Sequence, residues 1–106
     1  MALVVANREH DEAVMRCALQ YALAGYDVRA RIEGWFEAPD YVNGYKPDIV
    51  ARKGDRFVII EVKKGEIDWP KISAFEIFAR DHSDFEIQVI TPTAAPEPRE
   101  QRLHGH

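Results

Sequence analysis

The stretch Lys46-Pro47-Asp48-Ile49-Val50-Ala51-Arg52-Lys53-Gly54-Asp55-Arg56-Phe57-Val58-Ile59-Ile60-Glu61-Val62-Lys63 decides the fold. Residues 56–63 are nearly continuously apolar up to Glu61, the pattern of a central strand covered on both faces. Residues 47–53 predict a second strand, and Gly54-Asp55 is a tight turn between the two. Counted from that turn, Asp48 lies six residues before Gly54 and Glu61 six after Asp55. A hairpin therefore brings the two carboxylates opposite each other. Strand period is two, so Glu61 and Lys63 share a face and Lys64 takes the other.

Working outward, residues 7–24 show helical spacing, with Met15, Ala18, Leu19 and Ala22 as an apolar stripe that Val14 and Tyr21 widen. Asn7 is placed to cap the start, Glu9, Asp11 and Glu12 suit the positive end of the dipole, and Gly25 suits the C-terminal turn. Residues 27–35 alternate, Val28, Ala30 and Ile32 against Arg29, Arg31 and Glu33, as in a half-buried strand. Residues 34–46 carry Gly, Pro and Asn and read as a loop or irregular hairpin connection. Asp68 is a cap for a second helix to about Asp81, with Pro70 in its first turn and Ile72, Phe75, Phe78 and Ala79 on its apolar face. Residues 85–91 predict a last strand. The order α-β-β-β-α-β implies an α/β fold, a mixed central sheet with a helix on each side. Residues 1–92 form one expected domain, and 93–106, rich in Pro, Ala and charge, a loose C-terminal tail.

The 106 residues are 46% hydrophobic and 30% charged, which fits one domain with a modest core and excludes a disordered chain. No apolar run approaches the ~20 residues of a membrane helix, and the first residues lack the pattern of a secretory signal. Cys17 is the single cysteine, so no internal disulfide forms; it is expected as a buried, inert thiol in a reducing, cytoplasmic setting. The net charge of −4 argues against a charge-driven nucleic-acid coat protein. Between Lys46 and Lys64, however, Lys46, Arg52, Lys53, Arg56, Lys63 and Lys64 outnumber Asp48, Asp55 and Glu61.

Two facing carboxylates repel unless a positive group sits between them. A hard divalent ion, Mg²⁺ or Mn²⁺, takes such oxygen ligands and keeps several waters. The Val62 carbonyl lies next to Glu61 and offers a third oxygen. Lys63 would hold its ammonium beside the same site, to orient a water or to offset charge on a phosphorane-like transition state. The simplest chemistry for this set is attack of a metal-bound water on a phosphodiester.

Pro47-Asp48 with Glu61-Val62-Lys63 resembles the PD-(D/E)XK signature of the restriction-endonuclease-like nucleases. The element order matches that family's core over about residues 7–91. Lys46-Pro-Asp-Ile-Val-Ala51 and Ile59-Ile-Glu-Val-Lys63 look most like the small archaeal Holliday-junction-resolvase branch. The resemblance implies Mg²⁺-dependent endonucleolytic hydrolysis of DNA, with Asp48 and Glu61 as metal ligands and Lys63 as the catalytic lysine. The family often adds a glutamate from the first helix. Glu12 matches best as a further ligand, three, seven and ten residues before Met15, Leu19 and Ala22, and Glu9 is the alternative. Small members commonly dimerise, so a homodimer is expected. The alternatives are a nuclease-fold subunit of a larger DNA-processing complex, for restriction, recombination or repair, or a non-catalytic binding module; RNA is a further candidate substrate.

Other residues carry two readings each. Lys64, Glu66 and Lys71 contact phosphates or are solvated surface. Trp35, Phe36, Tyr41 and Tyr45 either stack on unpaired bases or pack under the loop or against a second copy. His10, near the active end of the helix, touches a phosphate or, the better reading, is a surface histidine. His82, His104 and His106 lack metal-ligand spacing.

Overall fold

The computed structural model describes residues 2–63 and 65–92, with side chains from residue 8 onward. Its elements are α1 (Ala2–Leu23), β1 (Asp27–Ala30), β2 (Ile49–Lys53), β3 (Arg56–Val62), α2 (Trp69–Asp81) and β4 (Phe85–Ile90). This is the expected α/β order. Strands β1, β2 and β3 pair antiparallel, and β4 returns parallel to β3. A parallel return needs a crossover, which α2 supplies. Lys64 and the expected tail at 93–106 lie outside the described residues.

The turn between β2 and β3 follows from Gly54, whose φ of 62° is the first-position requirement of a two-residue type II′ hairpin. That turn sets the register Lys53↔Arg56 through Ile49↔Ile60. One face of β3, with Val58, Ile60 and Val62, joins Ala13, Val14, Cys17 and Tyr21 of α1 in a buried cluster. The other face, with Ile59, packs on Ile72 and Phe75 of α2 and on Val42. The central strand is thus covered on both sides, as its apolar run predicts. Truncating Ile60 to Ala in such a core costs about 2–5 kcal/mol.

Three expectations change. Helix α1 already runs from Ala2, so Asn7 lies inside it and is not its cap. Strand β1 ends at Ala30 rather than at 35, because the chain folds back: the Trp35 indole N–H donates to the Val28 carbonyl at 2.9 Å and the Ala30 N–H to Glu37 at 2.9 Å. The buried stripe of α1 is Ala13, Val14, Cys17, Ala18 and Tyr21, while Leu19 is 48% exposed and Ala22 is exposed. The helix therefore sits in a different rotational phase from the one that Met15, Leu19 and Ala22 predict. The Tyr21 hydroxyl donates to Gln88 at 2.6 Å, which helps set that phase.

The connection from β1 to β2 contains a small hairpin. Val42 and Tyr45 exchange backbone hydrogen bonds across Asn43 and Gly44, whose φ values of 49° and 86° are those of an Asn-Gly turn. The Asn43 side-chain amide donates to Ala74 at 3.0 Å and ties the loop to α2.

Candidate active site

Beyond Ile49↔Ile60 the β2–β3 ladder continues through side chains. The Val62 backbone N–H donates to Asp48 Oδ2 at 2.8 Å, and the Asp48 backbone N–H points to Glu61 Oε1 at 3.3 Å. Each carboxylate is held by backbone of the opposite strand. On its other side Asp48 accepts the Arg31 N–H at its carbonyl, 2.8 Å away. Asp48 is buried and Glu61 half-buried.

Two cations flank the pair. Lys71, in the first turns of α2, places Nζ 2.6 Å from Glu61 Oε2, with both side chains largely covered. The α2 cap positions it: the Asp68 carboxylate accepts the Lys71 N–H at 3.3 Å. From α1, His10 Nε2 lies 3.4 Å from Asp48 Oδ2, long for a hydrogen bond but close for an ion pair.

The electrostatics follow. The contact with Asp48 outweighs burial and raises the His10 pKa from 6.5 to about 9, so the ring is cationic at neutral pH. Burial, then the charge of Asp48, push the Glu61 carboxyl above its ordinary value, and Lys71 opposes the rise. A cavity of about 240 Å³ opens here, lined among others by His10, Glu61, Lys63, Glu66 and Lys71.

Asp48, Glu61 and Val62 come together as the hairpin register requires. Lys63 lines the same cavity, with its ammonium donating to the Gly65 carbonyl at 2.6 Å. Glu12 does not join them. Its side chain is 65% exposed and pairs with Arg8 at 3.5 Å, on the outer face of α1. The reason is helical phase: at 100° per residue Glu12 lies opposite the Val14–Cys17–Tyr21 stripe. Glu9 is exposed as well. His10, four, seven and eleven residues before Val14, Cys17 and Tyr21, extends the buried stripe to the site. That spacing is the signal that marks it. Lys71 has no comparable sequence signal beyond its place after the Asp68 cap.

Among the described residues no three His, Cys, Asp or Glu side chains are grouped to hold a metal ion, so the carboxylate pair with backbone is the available donor set. Cys17 is buried, as expected. His82 serves the end of α2, with Nδ1 2.8 Å from the Phe78 carbonyl; His104 and His106 lie outside the described residues. Trp35 packs against the α1 core, while Phe36 and Tyr41 are 93% and 60% exposed.

Neither the curated proteins nor the solved structures give a match to this chain. A family model described as REase_AHJR-like matches residues 2–90, which span all six elements and both halves of the Asp48–Glu61 pair. The chain belongs to this restriction-endonuclease-like family, in agreement with its Pro47-Asp48 and Glu61-Val62-Lys63 motif and its mixed sheet.

Proposed function

We propose that the chain is a metal-dependent endonuclease that hydrolyses phosphodiester bonds of DNA, with Mg²⁺ as the natural ion and Mn²⁺ as a substitute. The observation that carries this reading is the reciprocal clasp of Asp48 and Glu61, two carboxylates fixed by backbone at one end of the sheet. The fit to a hard cation has support in the same residues. Burial, then the charge of Asp48, raise the Glu61 pKa although Lys71 opposes the rise, so a further positive charge at the pair would favour its ionised form. Mg²⁺ sites commonly use one or two carboxylates and several waters. Val62 donates its N–H toward Asp48, and in an extended strand its carbonyl lies along the same edge, where it adds a third oxygen.

Bound there, a divalent ion supplies a Lewis acid for the phosphoryl oxygen and a water of lowered pKa. In the hydrolysis, the water oxygen bonds to phosphorus, one ester P–O bond breaks, and the departing oxygen takes a proton. Asp48 and Glu61 hold the ion. Lys63, on the Glu61 face of β3, offsets charge that grows on the phosphoryl oxygens. His10 holds Asp48 in place and adds positive charge next to the cut bond. Lys71 balances the charge of Glu61 through its contact to Oε2 and would compete there with a bound cation.

A second reading rests on the net charge of −4: the chain is the cleavage subunit of a larger DNA-processing complex whose partner grips the duplex. A homodimer would set two sites on two strands. Among the described residues no helix is long and apolar enough to cross a membrane, and the buried lone cysteine suits a reducing cytoplasm. The test is incubation of the full chain with supercoiled, linear, single-stranded and branched DNA in Mg²⁺, Mn²⁺ or EDTA. Cleavage with either metal and none in EDTA is expected. Absence of cleavage of every form at every metal concentration overturns the reading of an autonomous nuclease.

A further inference from the structure

Helix α2 covers only part of its sheet face, because it packs over β3 and β4 and leaves β1 and the end of β2 open. Register puts Asp27, Arg52, Phe57 and Phe85 in one row across all four strands. A cavity of about 330 Å³ lies over this row, walled by the 39–42 segment. That volume is at the lower end of small-ligand sites, ~300–1,000 Å³.

Its floor is a block of aromatic rings packed on one another. The Phe57 and Phe85 rings stack with centroids 4.3 Å apart and planes 9° apart, and Phe78 meets Phe85 edge-on at 4.9 Å. The Arg52 guanidinium carbon stands 5.6 Å above the Phe57 ring centroid. Tyr41, 60% exposed, forms one wall. Arg29, Arg52, Asp27 and Asp40 also line the cavity, with Arg29 Nε 3.4 Å from Glu37 and Arg52 Nε donating to the Gly54 carbonyl at 3.0 Å. A purely apolar occupant has no use for these charges. A nucleotide uses each: the base stacks on the exposed Tyr41 ring, its amino edge donates to a carboxylate, and its phosphate meets a guanidinium.

The cavity shares no lining residue with the active-site cavity, and buried Ile59, Ile72 and Phe75 lie between the two, so the link runs over the surface by way of Tyr41. Arg31 donates its backbone N–H to Asp48, and its guanidinium carbon lies 5.8 Å from the Tyr41 ring centroid. Lys46, two residues before Asp48, holds Nζ 5.4 Å from the same ring. Phe57 is four residues from Glu61 along β3, about 13 Å at ~3.3 Å per residue. Cations and an exposed ring thus line the route from the carboxylate pair to the cavity.

The geometry points to a subsite for an unpaired nucleobase on a DNA strand that continues to the Asp48–Glu61 site. The substrate is then DNA with a single-stranded segment beside the cut, and a base with an exocyclic amino group, adenine, cytosine or guanine rather than thymine, suits Asp27 and Asp40 in the cavity. This rests on the nuclease reading, so the test is made on binding alone, in EDTA. A labelled oligodeoxycytidine of about ten nucleotides, within the ~4–16 a single-strand site covers, is titrated into the full chain beside a duplex of equal length. Backbone amide shifts map the contact.

The single strand should bind more tightly than the duplex and shift Tyr41, Arg52 and Phe57. Tyr41→Ala and Arg52→Ala, both at exposed positions, should each weaken it about tenfold, as loss of one stacked base does. Arg8→Ala, on the far face of α1, should bind as the parent does. Equal binding by parent and Tyr41→Ala, a preference for duplex, or concentration-dependent shifts at the same residues without DNA, which mean a second copy fills the cavity, overturn the proposal. Binding with this footprint but no cleavage in any metal keeps the subsite and removes the nuclease reading. Cleavage without the footprint does the reverse.

Discussion

Asp48 and Glu61 each accept a hydrogen bond from backbone of the opposite strand, Val62 N–H to Asp48 and Asp48 N–H to Glu61. The carboxylates are therefore positioned by the sheet itself as well as by His10 and Lys71. Removal of Asp48 to Ala would also orphan the buried Val62 N–H, which costs about 1–3 kcal/mol. Isosteric amides separate charge from this scaffold. Asp48→Asn and Glu61→Gln should each weaken Mn²⁺ binding on the order of tenfold or more, since even outer-shell changes reach that size. Calorimetric titration checks it, and Mn²⁺ affinity unchanged in both variants would mean the ion is held elsewhere.

Glu61 gives a stability prediction in the absence of metal. Its folded-state pKa is raised by burial and by Asp48. A raised carboxyl contributes stability below its unfolded pKa, and that contribution is lost as pH rises through the folded value. Ionised Glu61 thus lowers the stability of the metal-free protein at neutral pH. In EDTA, Glu61→Gln should melt higher than the parent at pH 7, and the difference should shrink at acid pH, where Glu61 is already neutral. Added Mn²⁺ should reverse the order, because the parent binds it more tightly. A Glu61→Gln variant that melts lower in EDTA at pH 7 would show that the Lys71 pair outweighs the burial.

His10 gives the matching prediction on the other carboxylate. Its pKa is raised from 6.5 to about 9, chiefly by Asp48. The stabilisation is fully present below about 6.5 and is lost as pH rises through about 9. In metal-free protein, the His10 ring resonances should titrate near 9, and Asp48→Asn should bring the midpoint down to the ordinary histidine range or below it, since only burial and Asp11 then act. A midpoint that does not move in Asp48→Asn would mean the ring is not paired with Asp48.

These two residues mark the limits of what the sequence carries. Asp48 and Glu61 were legible because strand period two and a two-residue turn leave one register, and a slip by one residue would turn Glu61 to the opposite face of β3 and out of line with Asp48. The helix face was not. Helix α1 carries Leu19 and Leu23 on its exposed side and small residues, Ala13, Cys17 and Ala18, on its buried side. Large apolar residues then point to the wrong phase, which turns Glu12 inward and hides His10. The tight packing of α1 on the sheet selects small residues, a tertiary effect that hydrophobic periodicity does not register. The pairing of Lys71 with Glu61 was not legible for a similar reason: Lys71 follows Glu61 by ten residues, and only the docking of α2 brings its ammonium to Oε2.

Cys17 tests that packing directly. Burial pushes its thiol up to about 12, so almost no thiolate exists at pH 8. Iodoacetamide should leave the folded chain unmodified at that pH and react at once after denaturation, as mass spectrometry reads. Rapid alkylation of native protein would place α1 in another phase on the sheet.

The last prediction concerns Lys63. It follows Glu61 by two residues and lines the same cavity, and its ammonium donates to the Gly65 carbonyl at 2.6 Å. The loop carbonyl keeps the charged group near the site without pairing it to a carboxylate. If the ammonium acts on charge that grows only during the reaction, its removal should slow the chemical step and spare binding. Lys63→Ala should reduce single-turnover cleavage of saturating DNA by ~10²–10³, the usual loss for one preorganised electrostatic contact. The control is Lys53→Ala, at the far end of β2, where Nζ donates to the Ala24 carbonyl at 3.0 Å. Lys53→Ala should keep the parent's rate at saturation. Lys71→Ala separates a further role: loss of its contact to Glu61 Oε2 should tighten Mn²⁺ binding while Lys63→Ala leaves it unchanged. Equal rate losses in Lys63→Ala and Lys53→Ala would show that lysines only draw the DNA backbone to the surface, and would leave Lys63 without a catalytic role.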